Sequence, residues 1–188
     1  MTEIIDTTPD GRYRVRLVAD EDAINPREDH DNLAHVITID TYLGRYVPVD
    51  KDGGPLADAW KRVSWNRWTG VECFSRWARI FHGAIVIESR PAHGPASLWY
   101  LLADDAAALG MLPEAYLDAE RAEYEAWANG EVYGYVLEEA VDWRRAGGEV
   151  RTTWEPVDSS FGHYGYGWAV VVAREALALH ANRQQVAA

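Results

Sequence analysis

Four residues near the end of the chain have the side chains of a hydrolytic site. Asp158, Ser159, Ser160 and His163 supply the acid, hydroxyl and imidazole groups of a nucleophilic triad. No Gly-x-Ser-x-Gly elbow holds the serines, and neighbours in sequence rarely meet in triad geometry. We therefore expect a turn in which polar side chains bond the backbone. This motif turn comprises Asp158, Ser159, Phe161, Gly162, His163, Tyr164 and Gly165.

Acidic residues and histidines could also ligate a metal ion in two places. Asp29-His30-Asp31 is followed by His35, and Asp158 accompanies His163. Neither spacing is that of an established metal motif, so structural roles are favoured and no metal or other cofactor is predicted. The alternative, a small metal- or ligand-binding enzyme domain, requires that four side chains converge on one pocket: Asp29, Asp31, Asp158 and His163.

The charge of the chain points to a different class of function. Eighteen basic and 30 acidic residues give a net charge of −12. This balance disfavours direct binding of nucleic acid and favours a basic partner, although acidity also keeps a protein soluble. Residues 103–142 hold eleven acids and one base, whereas residues 61–90 hold six bases and two acids. We expect an electrostatically polar molecule.

The predicted binding surface is acidic. In a helix over residues 113–129, carboxylates at helical spacing lie about 6 Å apart, similar to the phosphates of a nucleic-acid backbone. A loop over residues 23–32 and the acids just before it add further charge. The hypothetical surface consists of Glu114, Asp118, Glu125, Asp20, Glu21, Asp22, Asp29 and Asp31.

Hydrophobic periodicity predicts the elements that position these residues. Strands are predicted over residues 12–19, 34–42, 83–89, 96–102, 132–142 and 149–157. Helices are predicted over residues 56–63, 104–109, 113–129 and 167–184, and a loop over residues 47–54. The last helix is expected to bury Trp168, Val171, Val172, Ala176 and Leu179.

Two features of the pattern leave alternatives open. Glu120 and Glu123 fall on the apolar side of the helix over residues 113–129. They lie either at its margin, which is favoured, or inward, paired with a buried arginine or a polar site. The Trp- and Arg-rich residues 60–79 could stack on single-stranded nucleic acid, but core or interface tryptophans are favoured.

The expected fold is an α+β single domain, with a mainly antiparallel sheet and helices packed on one face. Residues 1–11 are expected to be a flexible tail and residues 12–184 the domain. The single Cys73 excludes an intramolecular disulfide, and neither a leader nor a membrane span is visible. The sequence therefore predicts a cytoplasmic protein.

Three patches together resemble a family of small acidic proteins, mostly of unknown function, encoded by tailed bacteriophages and related mobile elements. The first includes Tyr13-Arg14-Val15-Arg16-Leu17, Asn25-Pro26-Arg27-Glu28-Asp29 and Asp31-Asn32-Leu33, and the second includes Gly130-Glu131-Val132-Tyr133-Gly134-Tyr135. The third, residues 158–165, looks like the family's Asp-Ser-Cys-Trp-Gly-Phe-Tyr-Gly ending. Ser160 and Phe161 replace its Cys and Trp, so no reactive thiol is expected there.

The resemblance implies a phage or prophage accessory protein in the cytoplasm of an infected or lysogenic cell. Together with the charge, it favours a binding protein over an enzyme. The expected partner is a host protein with a basic surface, such as a defence or DNA-handling factor, that the acidic surface occupies by mimicking nucleic acid. Direct contact with nucleic acid or membrane is not expected. The oligomeric state is open, a homodimer included.

Overall fold

The computed structural model describes residues 2–29, 31–39, 46–48, 53–63, 69–90, 96–144 and 147–187. Within them the chain forms, in order, β1 (Thr2–Thr7), β2 (Tyr13–Ala19), α1 (Pro26–Asp29), β3 (His35–Ile39), β4 (Tyr46–Pro48), α2 (Ala57–Val63), α3 (Gly70–His82), β5 (Ile85–Ser89), β6 (Ala96–Leu101), α4 (Ala103–Ala107), α5 (Pro113–Ala128), β7 (Val132–Arg144), β8 (Val150–Tyr164) and α6 (Tyr166–Ala187). These strands form two antiparallel sheets, ordered β1-β2-β7-β8 and β4-β3-β6-β5. The predicted α+β class is confirmed.

The chain divides into two compact units. Unit 1 consists of Met1–Asn25 and Ala126–Ala188, and unit 2 of Pro26–Glu125. Each unit contains one of the two sheets. The prediction of one domain over residues 12–184 stays a prediction.

The core of unit 1 is built on the alternation of apolar and polar residues predicted for residues 12–19. In β2, Tyr13, Val15 and Leu17 are buried beneath α6, whereas Arg14 and Arg16 are less buried and lie on the opposite face of the sheet. The helix contributes Ala169, Ala173 and Leu177 to this core. Helices on one face of the sheet agree with the predicted arrangement.

The orientation of α6 about its own axis differs from the prediction. Val172 and Ala176 are half-buried as expected, but Trp168, Val171 and Leu179 are 59%, 44% and 58% exposed. The buried positions are mostly alanines such as Ala169, because a small side chain lets the helix approach the aromatic residues of the sheet. The largest apolar side chains of α6 therefore lie mostly on its exposed side.

Residues 1–11, expected to form a flexible tail, instead contain β1. This strand pairs antiparallel with β2, with a register shift between Ile4 and Asp6. Its polar sequence gives little local signal, so its order comes from the ladder of hydrogen bonds with β2. The tail prediction is wrong for Thr2–Thr7.

The sheet of unit 2 is covered by helices on both faces, which differs from the predicted one-sided packing. On one face α2 and α3 cover Ile37, Leu98 and Tyr100. On the other face Leu117 of α5 packs against Val36, Trp99 and Leu101, with further apolar residues of α4 and α5 around them. Alternation along β3 and β6 separates the two cores.

Most local predictions in unit 2 are confirmed, but both predicted loops need correction. The strands over 83–89 and 96–102 and the helices over 56–63, 104–109 and 113–129 match β5, β6, α2, α4 and α5. The strand over 34–42 matches β3, with residues 40–42 outside the described residues. Residues 23–32 contain α1, because Pro26 suits a first helical position. Residues 47–54 contain the end of β4.

The Trp- and Arg-rich stretch consists of α2 and α3 and an intervening segment that lies outside the described residues, Trp65 and Trp68 included. Trp60 is 3% exposed and packs edge-on against Phe74. Trp77 is half-buried beside the same ring. Both tryptophans therefore belong to the core of unit 2, as favoured, and Trp60 has no surface for stacking a base.

Candidate functional site

The segment expected to be a turn at residues 158–165 is mostly strand. β8 runs through it to Tyr164, where β7 is its partner, and α6 follows directly. The register shifts between the pairs Tyr135–Ser160 and Tyr133–His163, so that two residues of β8 lie opposite one of β7. The sequence signals of a turn, glycines and small polar residues, here mark a β-bulge.

The bulge explains three residues of the motif. Gly162 has a φ of +80°, which favours glycine, and its N–H donates to Asp20 Oδ2 at 3.0 Å. Phe161, beside it, covers Gly134 of β7, where any Cβ would clash with the phenyl ring. Gly165, with a φ of +86°, turns the chain from β8 into α6.

The return of α6 over the sheet forms a cleft of about 290 Å³ beside β8. We call it the β8–α6 cleft. The sheet contributes Tyr135 and Asp158, which share a face because Asp158 lies opposite Leu137, two residues along β7 from Tyr135. The helix contributes residues three or four positions apart, which lie on one side of it. They are Val172, Glu175, Ala176, Leu179, His180 and Arg183.

Three of the charged groups in the cleft are uncommitted. Among the residues that the structure describes, Asp158, Glu175 and Arg183 make no ion pair. Asp158 accepts only the N–H of its neighbour Ser159, at 2.8 Å. Burial raises the pKa of Tyr135, and the negative charge of Asp158 adds to that increase. The cleft thus presents two carboxylates and one guanidinium to solvent.

His163 lies next to this cleft rather than in it. Its ring stacks on Tyr135 with centroids 5.8 Å apart and an interplanar angle of 9°. Burial lowers the pKa of His163, and the charge of Asp20 opposes this shift. Nε2 is buried without a hydrogen-bond partner in the described part of the chain. Because no described serine or Asp158 bonds this imidazole, the structure contains no hydrogen-bonded triad at residues 158–163.

The predicted acidic helix face is less free than expected. Arg121 pairs with Asp118 at 3.1 Å and with Glu125 at 3.1 Å, and Glu125 also accepts the hydroxyl of Ser89. Only Glu114 of the three predicted carboxylates is exposed without an ion pair among the described residues. The arginine thus neutralises much of this face.

The remaining acids of the hypothetical surface divide between the units. In unit 1 Glu21 and Asp22 are exposed, whereas Asp20 is occupied by the N–H groups of Asp22 and Gly162. In unit 2 Asp31 is exposed. Asp29 is the last residue of α1.

The two metal-like clusters also belong to different units, Asp29 and Asp31 to unit 2 and Asp158 and His163 to unit 1. His30 lies outside the described residues. Among the residues that are described, no three His, Cys, Asp or Glu side chains are arranged to hold a metal ion. Their convergence on one pocket stays a prediction.

Two of the three charged residues of the cleft, Glu175 and Arg183, are not predicted from the sequence. Glu175, Leu179 and Arg183 repeat every four residues, and this spacing was available as a signal. The apolar residues between these positions instead favour a buried face. Tyr135, assigned to a strand, gave no sign that it would lie beside Asp158.

Searches against protein-family models, curated proteins and solved structures find no match to this chain. The resemblance to the phage family therefore stays a prediction. No helix among the described residues is long and apolar enough to cross a membrane.

Proposed function

We propose that the protein is a ligand-binding protein and that the β8–α6 cleft takes a small zwitterionic ligand, such as an amino acid or the end of a peptide. The observation that carries this proposal is the presence of uncommitted opposite charges, Asp158 and Glu175 against Arg183, in one cleft. Opposite charges that do not pair with each other can each bond a ligand group.

The cleft matches such a ligand in charge and size. The carboxylates of Asp158 and Glu175 can accept hydrogen bonds from an ammonium group, and Arg183 can donate two parallel hydrogen bonds to a carboxylate. Val172, Ala176 and Leu179 supply apolar contact. A volume of about 290 Å³ is at the small end of ligand pockets, which suits a molecule the size of an amino acid.

Binding is favoured over catalysis by the geometry. A nucleophile needs a base within hydrogen-bond reach, and no described side chain in the cleft hydrogen-bonds another. This proposal keeps one part of the alternative hypothesis from the sequence, namely a ligand-binding site that includes Asp158. His163 enters it only as the ring that supports Tyr135.

The test is calorimetric titration of the protein with leucine, N-acetylleucine and leucinamide. Leucine carries both charges, whereas each derivative carries one. We expect leucine to bind with a Kd near 1 mM or below and each derivative to bind at least about tenfold more weakly, since each loses a charge-assisted hydrogen bond.

Variants make the test specific for the cleft. Asp158→Asn should weaken leucine but not N-acetylleucine, and Arg183→Gln should weaken leucine but not leucinamide. Glu155→Gln, on the same strand but outside the cleft, and Arg174→Gln, on the same helix, are the matched controls. No heat from leucine at about 10 mM, or equal binding by all variants, contradicts the proposal.

A second candidate, an acidic phage protein that occupies a basic host protein, rests on the charge of −12. The exposed carboxylates of Glu21, Asp22 and Glu114 favour it, because long-range attraction speeds encounter with a basic partner. Capture of one basic host protein from lysate at low salt, lost when Glu114, Asp118 and Glu125 are changed to Lys, supports it. Unchanged capture by that variant contradicts it.

A further inference from the structure

The exposed apolar residues of α6 continue the side of the helix that lines the β8–α6 cleft. Trp168, Val172 and Leu179 are spaced four and seven residues apart, so they lie on one side of the helix. Val172 and Leu179 line the cleft, and Trp168 precedes Val172 by about one helical turn. Trp168 and Leu179 are both more than half exposed. The apolar surface beside the cleft therefore extends towards the start of α6.

The face of β8 that lies beside this side of α6 is polar. The buried core beneath α6 consists of residues of β2 and β7, so β8, the next strand in the sheet, lies to the side of the helix. Ser160 is opposite Tyr135 in the ladder and two residues from Asp158, so all three side chains share one face. The hydroxyl of Ser160 makes no hydrogen bond in the part of the chain that the structure describes.

Together with the cleft, Trp168 and Ser160 form a longer surface that we call the extended trough. Glu175 and Arg183 are eight residues apart on α6, which corresponds to about 12 Å along the helix axis. An extended peptide advances about 3.3–3.6 Å per residue, so about three to four residues cover this distance. From Trp168 to Arg183 the helix rises about 22 Å, which about six to seven extended residues cover. The trough thus has the length of a short peptide.

We propose that the extended trough takes the carboxyl-terminal end of a peptide that carries apolar residues and one basic side chain. This inference rests on the proposed function, because the terminal residue occupies the cleft with its carboxylate at Arg183. The peptide then runs along α6 towards Trp168. Its basic side chain meets the carboxylates of Asp158 and Glu175, and its apolar side chains contact Val172, Leu179 and finally Trp168.

A fatty acid also offers a carboxylate and an apolar chain, but it matches the trough less well. Its alkyl chain would cover the carboxylates of Asp158 and Glu175, which would lose water without gaining a hydrogen bond. A peptide instead brings backbone N–H groups and a basic side chain, which can bond these carboxylates and the hydroxyl of Ser160. The polar groups of the trough therefore favour a peptide.

Calorimetric titration with the heptapeptide acetyl-Leu-Ala-Leu-Lys-Ala-Ala-Leu tests the length and chemistry of the ligand. Acetylation leaves the lysine as its only positive charge, three residues before the terminal carboxylate. We expect it to bind at least about tenfold more tightly than leucine, because it buries more apolar surface. The same peptide with a carboxyl-terminal amide, and the tripeptide acetyl-Ala-Ala-Leu, should each bind at least about tenfold more weakly than the heptapeptide. Octanoate that binds as tightly as the heptapeptide overturns the choice of a peptide.

Variants distinguish the extended trough from the cleft. Trp168→Ala should weaken the heptapeptide at least about fivefold and leave leucine and the tripeptide unchanged, because these shorter ligands do not reach Trp168. Glu175→Gln should weaken the heptapeptide more than a version with alanine in place of lysine. Trp143→Ala, a change of the same kind at an exposed position of β7 outside the cleft, is the matched control and should bind every ligand like the unmodified chain.

The outcomes separate this inference from the proposed function. If leucine binds but the heptapeptide binds no more tightly, or if Trp168→Ala leaves the heptapeptide unchanged, the extended trough is overturned and the cleft stands. Binding of the heptapeptide that depends on Trp168, without binding of leucine, supports the trough and overturns a free amino acid as the ligand. No heat from either ligand, leucine at about 10 mM included, contradicts both.

Discussion

Arg27 and Glu120 form an ion pair inside unit 2, although 93 residues separate them in the chain. Their side chains are 8% and 6% exposed. Both residues also bond Ala34, which lies just before β3. Arg27 donates to the carbonyl of Ala34 at 2.7 Å, and the N–H of Ala34 donates to the Glu120 carboxylate at 3.2 Å. Arg27 further lies 5.4 Å from the ring centre of Trp99. The pair thus joins α1, β3 and α5.

Breaking this pair should be costly. Arg27→Met or Glu120→Leu leaves a buried charge without its partner, and we expect each to lower the free energy of unfolding by about 3–5 kcal/mol. The double variant should lose less than the sum of the two. Urea unfolding followed by circular dichroism measures all three. Arg121→Met, which breaks a more exposed ion pair on α5, is the matched control and should cost about 0–1 kcal/mol. Strictly additive losses would contradict the coupling.

Phe161 and Gly134 give a second stability prediction. Gly134→Ala places a methyl group where the phenyl ring lies, so the ring must move or the strands must separate. We expect a loss of about 1–3 kcal/mol, typical of overpacking. In a Phe161→Ala background the same substitution should cost much less, because the obstacle is absent. Thermal unfolding of the four proteins of this double-mutant cycle measures the interaction. Equal costs in the two backgrounds would show that the ring does not cause the strain.

The sequence predicted the elements whose signal is local. Alternation identified β2, and helix-end residues identified α5, from Pro113 to the left-handed Gly130 with a φ of +71°. β1 was missed because its order depends on pairing with β2 rather than on its own polar residues. Residue size predicts the wrong buried side of α6, because the fit of small alanines against aromatic rings determines which side packs on the sheet.

Individual site residues were harder to predict because they depend on distant partners. Glu120 was placed at the margin of α5, but its burial requires Arg27 from another element. Asp158 is a candidate from its residue type alone, whereas the cleft that it shares with Glu175 and Arg183 exists only because α6 returns over β8. A sequence pattern records the residue type, whereas the tertiary fold decides which charges meet.

Glu138 should make stability depend on acidic pH. It is 6% exposed and accepts hydrogen bonds from Arg14 at 2.7 Å and Arg16 at 2.9 Å. Burial alone would raise the pKa of Glu138, but the hydrogen bonds and charges of the two arginines together lower it from its ordinary value of 4.5. A carboxyl whose pKa is lower in the folded state stabilises the fold fully above the unfolded value, and this contribution disappears as the pH falls through the folded value.

The test compares Glu138→Gln with the unmodified protein in urea at pH 7, 5, 4 and 3. We expect a difference of about 1–3 kcal/mol at pH 7, as for hydrogen bonds to charged groups, and a difference near zero at the lowest pH. Glu155→Gln, an exposed change on β8, should show little difference at any pH. A Glu138→Gln difference that stays constant with pH would mean that the carboxylate charge does not contribute.

The imidazole of His163 should titrate below the usual range for histidine. Burial lowers its pKa from 6.5, and the nearby charge of Asp20 limits the shift. Asp20→Asn removes this charge while keeping an oxygen that can accept the N–H of Gly162. We therefore expect the variant to lower the pKa of His163 further. The depressed pKa stabilises the fold fully above pH 6.5, and this contribution is lost as the pH falls through the folded value. Proton NMR titration of the ring Cε1 proton, assigned with His163→Gln, measures both values. A pKa that rises in Asp20→Asn would contradict the attractive interaction between the two side chains.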